Sequence, residues 1–193
     1  MMNMKNRWKV AFLTLLGVIL FIIVIMGGMI FSPTQSVSLP NTSIDNEKFV
    51  QFSVSTHKKD LNKILNQYLN RFTEYNVILK NDIVEFNGSI PIFMKRIHVK
   101  MTFIPKTSNN GDLILIQKSL SLGKLHLPVS AVLKLVRSSL NLPEWIIIQP
   151  NKKMVYVGLQ DMKMNHSNMK IRINHFNLKK DDISLTLLFP IGH

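Results

Sequence analysis

The chain contains no cysteine. It can therefore build no disulfide framework, no thiolate zinc set and no cysteine nucleophile, and its stability must come from an apolar core. Acidic residues are also scarce, 11 Asp and Glu against 24 Lys and Arg in 193 residues, for a net charge of +13. The carboxylate pair Asp181 and Asp182 in "KKDD" is accounted for by a tight turn between strands more simply than by acid–base work. The histidines at positions 57, 98, 126, 166, 175 and 193 form no H-x-x-x-H pair. No G-x-S-x-G elbow, P-loop or G-x-G-x-x-G turn occurs. The expectation is a protein that is not an enzyme, with no catalytic residue, metal site or cofactor. The sequence also has no internal repeat and no low-complexity segment.

One long apolar run is present. Val10 to Phe31, "VAFLTLLGVILFIIVIMGGMIF", carries no charge, and at ~1.5 Å per helical residue it matches a ~30 Å hydrocarbon core. Lys5, Arg7 and Lys9 precede it, with Trp8 at headgroup level, and "SPTQSVSLPNTS" after it has no cation. The positive-inside rule then puts residues 1–9 in the cytoplasm, makes 10–31 a single membrane span and leaves the remainder extracellular. A cleaved signal peptide is the competing reading. The run exceeds the usual 7–15-residue apolar region, however, and no A-x-A-like site follows it. Residues 32–45 read as a Ser/Thr/Pro linker, and 46–193 as one extracytoplasmic α+β domain.

Within that domain "FVQFSVS" predicts an edge strand. "THKKDLNKILNQYLNRF" predicts a helix over 56–73 with Ser55 or Thr56 as N-cap. Its apolar row is Leu61, Ile64, Leu65, Tyr68, Leu69 and Phe72, and Lys58, Lys59, Asn62 and Lys63 lie on the solvent side. The period then falls to two. The pattern predicts a hairpin turning at Asn81-Asp82, a further turn at Asn87-Gly88, and a strand whose Ile97, Val99, Met101 and Phe103 face inward beneath a basic outer face. "SNNGD" turns the chain, and a change of phase between Ile116 and Leu120 predicts a bulge. In "GKLHLPVSAVLKLVRSSLNLP" a second helix presents Val129, Val132, Leu133, Val136 and Leu140, widened by Ala131 and Leu135, with Lys134 and Arg137 beside that face. Three further strands follow, in "KKMVYVGLQ", "NMKIRINHFNL" and "DISLTLLFP". The expected architecture is a curved antiparallel sheet packed on two amphipathic helices.

The basic N-terminus, the single span, "FNGSIPIFMKRIHVKMTFIP", "LSLGKLHLPVSAVLKLV" and "LPEWIIIQPNKK" resemble the YpmS-like family of Gram-positive bacteria over almost the whole chain. The succession of "LGKLHLP", a helix, "LP" and a further strand is similar to the tubular lipid-binding superfamily, whose members curve an antiparallel sheet around a long helix and hold acyl chains between them. That second resemblance implies a lipid gap. Leu61, Ile64, Leu65, Tyr68, Leu69, Phe72, Val129, Val132, Leu133, Val136 and Leu140 are the candidates to line it, with Lys134 and Arg137 to meet a headgroup. The same faces can instead pack directly on the sheet and leave no gap.

Beyond the three cytoplasmic cations, 21 basic residues face 11 acidic ones. With that part of the chain outside the cell, the polyanions it meets are lipid headgroups and wall polymers, and nucleic acid is excluded as a partner. The expected function is to bind or present a lipid or lipid-linked envelope precursor. The alternative is a docking module for a protein partner of envelope assembly.

Overall fold

The computed structural model describes residues 4–31, 49–69, 74–92, 95–123, 126–162 and 169–191. Contacts divide the chain into two units, Met1–Gln35 and Ser36–His193. The described residues of the first form a single helix, α1 (Met4–Phe31), which starts before the apolar run and carries the basic residues within its opening turns. The described side chains between Phe12 and Ile25 are uncharged and exposed. Over described residues alone, no helix is long and apolar enough to cross a membrane. In α1 the side chains are described at Phe12, at 14–25 and at Gly28.

The second unit is antiparallel α+β, with a curled sheet. Its elements are β1 (Phe49–Thr56), α2 (Lys58–Leu69), β2 (Tyr75–Lys80), β3 (Ile83–Ile92), β4 (Lys95–Thr107), β5 (Leu113–Ser121), α3 (Val129–Ser139), β6 (Ile146–Gln149), β7 (Met154–Val157), a single 3-10 turn (Leu159–Asp161), β8 (Lys170–Asn177) and β9 (Asp182–Pro190). The strands form two sheets where one was expected. Six strands run in the order β2-β3-β4-β5-β7-β6, and three in the order β1-β9-β8. The seam between them includes the β4–β5 turn, where the Ile173 N–H of β8 donates to the Gly111 carbonyl oxygen at 2.7 Å. Gly111 has φ +87°, and a Cβ there would stand 2.1 Å from the Arg172 Cγ, so only glycine lets β8 approach this closely.

The period-two patterns hold where one sheet face is covered. Val99, Met101 and Phe103 of β4 are buried, as are Val84 and Ile90 of β3, and they join Tyr75, Leu79, Ile148, Val155 and Ile183 in one apolar cluster. The β2–β3 hairpin turns at Asn81-Asp82 with Asn81 at φ 51°, and the bulge falls at Lys118, where pairing passes from Thr102↔Ser119 to Phe103↔Gln117.

The turn expected at Asn87-Gly88 does not form; both residues lie in β3, opposite Lys100 and Val99. Local turn propensity loses here to cross-strand packing. The Phe86 ring lies over Gly88, 2.8 Å from where a Cβ would be, and stacks on Tyr75 with centroids 5.9 Å apart.

The helix after β1 also starts differently from the expectation. Ser55 and Thr56 belong to β1, paired with Ser184 and Ile183, so neither caps α2. The Lys58 N–H instead donates to Asp181 Oδ1 at 2.7 Å, a cap supplied from 123 residues away by the β8–β9 turn.

Asn62, assigned by the pattern to the solvent side, faces the edge strand β2. Its Nδ2 donates to the Leu79 carbonyl oxygen at 2.9 Å, and its Oδ1 accepts the Leu79 N–H at 2.8 Å. One side chain thus satisfies both backbone groups of an edge position. Asn62→Ala should destabilise the unit by about 1–3 kcal/mol through those two orphaned groups. Faster amide hydrogen exchange at Leu79 would accompany the loss, and unchanged exchange there would contradict the pairing.

Candidate functional site

The apolar face of α3 falls between Pro128, whose carbonyl oxygen accepts the Val132 N–H, and Leu140, whose N–H donates to Val136. This helix has no side-chain N-cap. It is held by burial, with Val132 fully buried and Leu133, Val136 and Leu140 nearly so, all within the cluster that includes Tyr75, Leu79 and Ile148. Val129 and Leu135 are half-buried against that cluster.

α2 is seated differently. Leu61, Leu65 and Leu69 pack against the same cluster, yet no side chain of the helix is fully buried. Tyr68 is half-buried, with its ring 6.3 Å from Trp145 ahead of β6. Ile64, placed by spacing in the lining row, is 61% exposed. Phe72 lies outside the described residues. The eleven lining candidates thus separate into a buried floor on α3 with half-buried Val129 at its edge, a half-buried row on α2, one residue in solvent and one not described.

Of the two headgroup candidates, Arg137 is exposed in the last turn of α3, where a cation also complements the helix dipole, and Lys134 is half-buried one turn earlier. The basic outer face of β4 is partly neutralised. Arg96 stands 3.8 Å from Glu74, and Lys100 is 3.1 Å from Glu85. Hydrogen bonds from Asn87 and then Lys100 hold the Glu85 carboxyl below its ordinary range. A separate open groove of about 350 Å³ is lined by Asp82, Ile104, Pro105, Thr107 and residues 175–179, and includes none of the candidates. Among the described residues no group of three His, Cys, Asp or Glu stands close enough to hold a metal ion.

Sequence reading missed a buried polar cluster. Asp112, 1% exposed, accepts the Tyr156 hydroxyl and, at 2.8 Å, Asn110 Nδ2 on its Oδ2, and the Gln160 N–H at 3.2 Å on its Oδ1. Gln160 Nε2 in turn donates to the Asn110 carbonyl oxygen at 2.6 Å. "SNNGD" read only as a turn. The signal available was an Asn two residues before the Asp in a loop that faces the one tyrosine of β7, but nothing local reveals that pairing.

Burial and then the bond to Asp112 push the Tyr156 hydroxyl up to about 12. A pKa raised on folding contributes stability that is complete below the unfolded value near 10 and is lost as pH rises through 12. The wild type should lose on the order of 2–3 kcal/mol from this residue between pH 10 and 12. In Tyr156→Phe, less stable at neutral pH, that part of the alkaline slope should be missing from urea denaturation curves.

The comparisons with known proteins agree on one family. A family model described as an uncharacterized protein conserved in bacteria, DUF2140, matches residues 6–189. "Uncharacterized protein YpmS" of Bacillus subtilis (strain 168) is 29% identical over 189 residues, 96% of this chain and 98% of the relative. No solved structure matches the chain significantly. The match runs through α1, both later helices and all nine strands, and the chain belongs to the DUF2140 family of YpmS-like bacterial proteins.

Proposed function

We propose that the chain is anchored in the cell membrane by a single span, with its N-terminus cytoplasmic and its α+β unit outside. That unit binds or presents a lipid, or a lipid-linked envelope precursor, without catalysing a reaction. The anchor reading is supported by the 22 uncharged residues within α1, about 33 Å of helix, and by Lys5, Arg7 and Lys9 on one flank only. The observation that carries the lipid reading is the seating of α2. A helix covering a core ordinarily buries its apolar stripe. α2 instead leaves Leu61, Leu65 and Leu69 half-buried and is held by polar contacts from Asp181 and Asn62 and by Tyr68 against Trp145. It acts as a cover over an apolar floor. An acyl chain slipped beneath it gains ~0.8 kcal/mol per buried CH₂, while Arg137 and Lys134 meet the anionic headgroup.

A second reading, a docking module for a protein partner, draws on a different observation. Val50, Phe52 and Val54 of β1 are exposed beside Phe189 of β9, and exposed apolar patches mark interaction surfaces.

Topology is tested by adding protease to intact, wall-stripped cells. Digestion of the α+β unit is the expected result. Protection until lysis would contradict the orientation and, with it, access to outer-leaflet lipid.

A further inference from the structure

The two sheets end in four edge strands, β2 and β6 in one and β1 and β8 in the other. A bare edge is a template for another chain, and folded proteins cover it, shorten it, charge it or bulge it. β2 is covered by Asn62 of α2, and β6 has only four residues. β8 carries Lys170, Arg172 and His175, has a register shift between Ile173 and His175, and gives its Ile173 N–H to Gly111. β1 has none of these devices among the described residues. Its eight residues, "FVQFSVST", include no charge, no proline and no shift of register.

Together with the end of β9, the same strand carries most of the large exposed apolar side chains described in the second unit. Outside α1 the exposed large apolar side chains among the described residues are Val50, Phe52, Val54, Ile64, Ile104, Phe189 and Ile191, and five of these seven lie on β1, at the end of β9 or one residue past it. Phe52 meets Phe189 edge to face at 5.6 Å, which binds the two strands into one apolar strip.

We propose that β1 pairs antiparallel with β1 of a second copy, joining two three-stranded sheets into one of six. This deepens the docking reading and names its partner. The strand is self-complementary about Phe52. In the antiparallel pair Val50 stands opposite Val54 of the second copy, Gln51 opposite Ser53, and Phe52 opposite Phe52, so over this central stretch apolar meets apolar and polar meets polar, while Phe49 at the end faces Ser55. Such a pair is isologous and closes on itself. Each copy has a net charge of +13, and β1 itself contributes none of it. Chain length permits both copies to share a membrane. The two β1 starts lie about 20 Å apart in the pair, and the 17 residues 32–48 of each copy can reach roughly 55–60 Å. Anchoring in one plane raises the effective concentration of the second strand, so a modest interface suffices.

The absence of native cysteine makes the test clean. Full-length chains carrying Gln51→Cys and Ser53→Cys, both at exposed polar positions of β1, are expressed together, and the membranes are treated with a mild oxidant. Directly opposed Cβ atoms, about 4.5–5.5 Å apart, come within disulfide reach, whereas the diagonal pairs available to either variant alone, about 7–8 Å apart, do not. The expected result is a disulfide-linked product of twice the chain mass in the mixture, with neither variant alone giving more than a trace. Adding Phe52→Lys to both chains should abolish it. Equal products in all three samples would signify random collision and overturn the pairing, as would no product at all. A mixed disulfide with a protein of another mass would overturn the second copy as partner while leaving the docking reading in place.

Discussion

Asp112→Ala should be the most damaging single truncation in the folded unit, costing roughly 3–5 kcal/mol, since each buried donor it orphans costs about 1–3 kcal/mol and the turn relaxes only in part. The carboxylate is 1% exposed and is the shared acceptor for Tyr156, Asn110 and the Gln160 N–H. It thereby ties the β4–β5 turn to β7 and to the 3-10 turn after it. Against a total stability of ~5–15 kcal/mol this is enough to unfold much of the population. Asp112→Asn keeps one acceptor oxygen and should cost about half as much. Urea denaturation of the full chain in detergent, followed by near-ultraviolet circular dichroism, measures both. A tolerated Asp112→Ala would mean that the cluster is satisfied by other partners.

The second large effect separates the floor of the proposed site from its rim. Leu133→Ala should cost about 2–5 kcal/mol, because the side chain is 1% exposed within the central cluster and its removal leaves a cavity. Ile64→Ala, at a position that spacing alone placed in the same lining row, should stay within about 0.5 kcal/mol, since that residue is 61% exposed. Similar losses in the two variants would show that α2 is seated as deeply as α3.

These two positions also mark what periodicity can reveal. Spacing identified Val132, Leu133, Val136 and Leu140 because α3 is enclosed between the sheet and its flanking Leu-Pro segments, where an apolar stripe and a buried stripe coincide. It assigned Ile64 to the same class because it records which side of a helix is apolar and not how deeply that side sits. The strands were legible wherever one face is covered, as in β4, and so was the bulge in β5, since an extra residue breaks the alternation in the sequence itself. What escaped depends on partners remote in the chain. The cap on Lys58 comes from Asp181, the Asn62 pair from Leu79, the inclusion of Gly88 in β3 from its pairing with Tyr75 and Val99, and the Asp112 cluster from Tyr156 and Gln160. The division into two sheets was missed for the same reason, because it rests on the pairing of β1 with β9 from the far end of the chain.

The central claim, that the outer unit engages lipid beneath α2, is tested most directly by mapping where lipid touches the chain. Cells are fed a phospholipid precursor bearing a photoreactive group near the end of its acyl chain, illuminated, and the full-length protein is purified and digested for mass spectrometry. The proposed anchor predicts label on α1 as well, so α1 serves as the internal control. The account predicts additional labelling of peptides covering residues 58–69 and 129–139, reduced when Leu61 and Leu65 are both changed to Ser. Label confined to residues 4–31, with the α2 and α3 peptides unmodified, would contradict it.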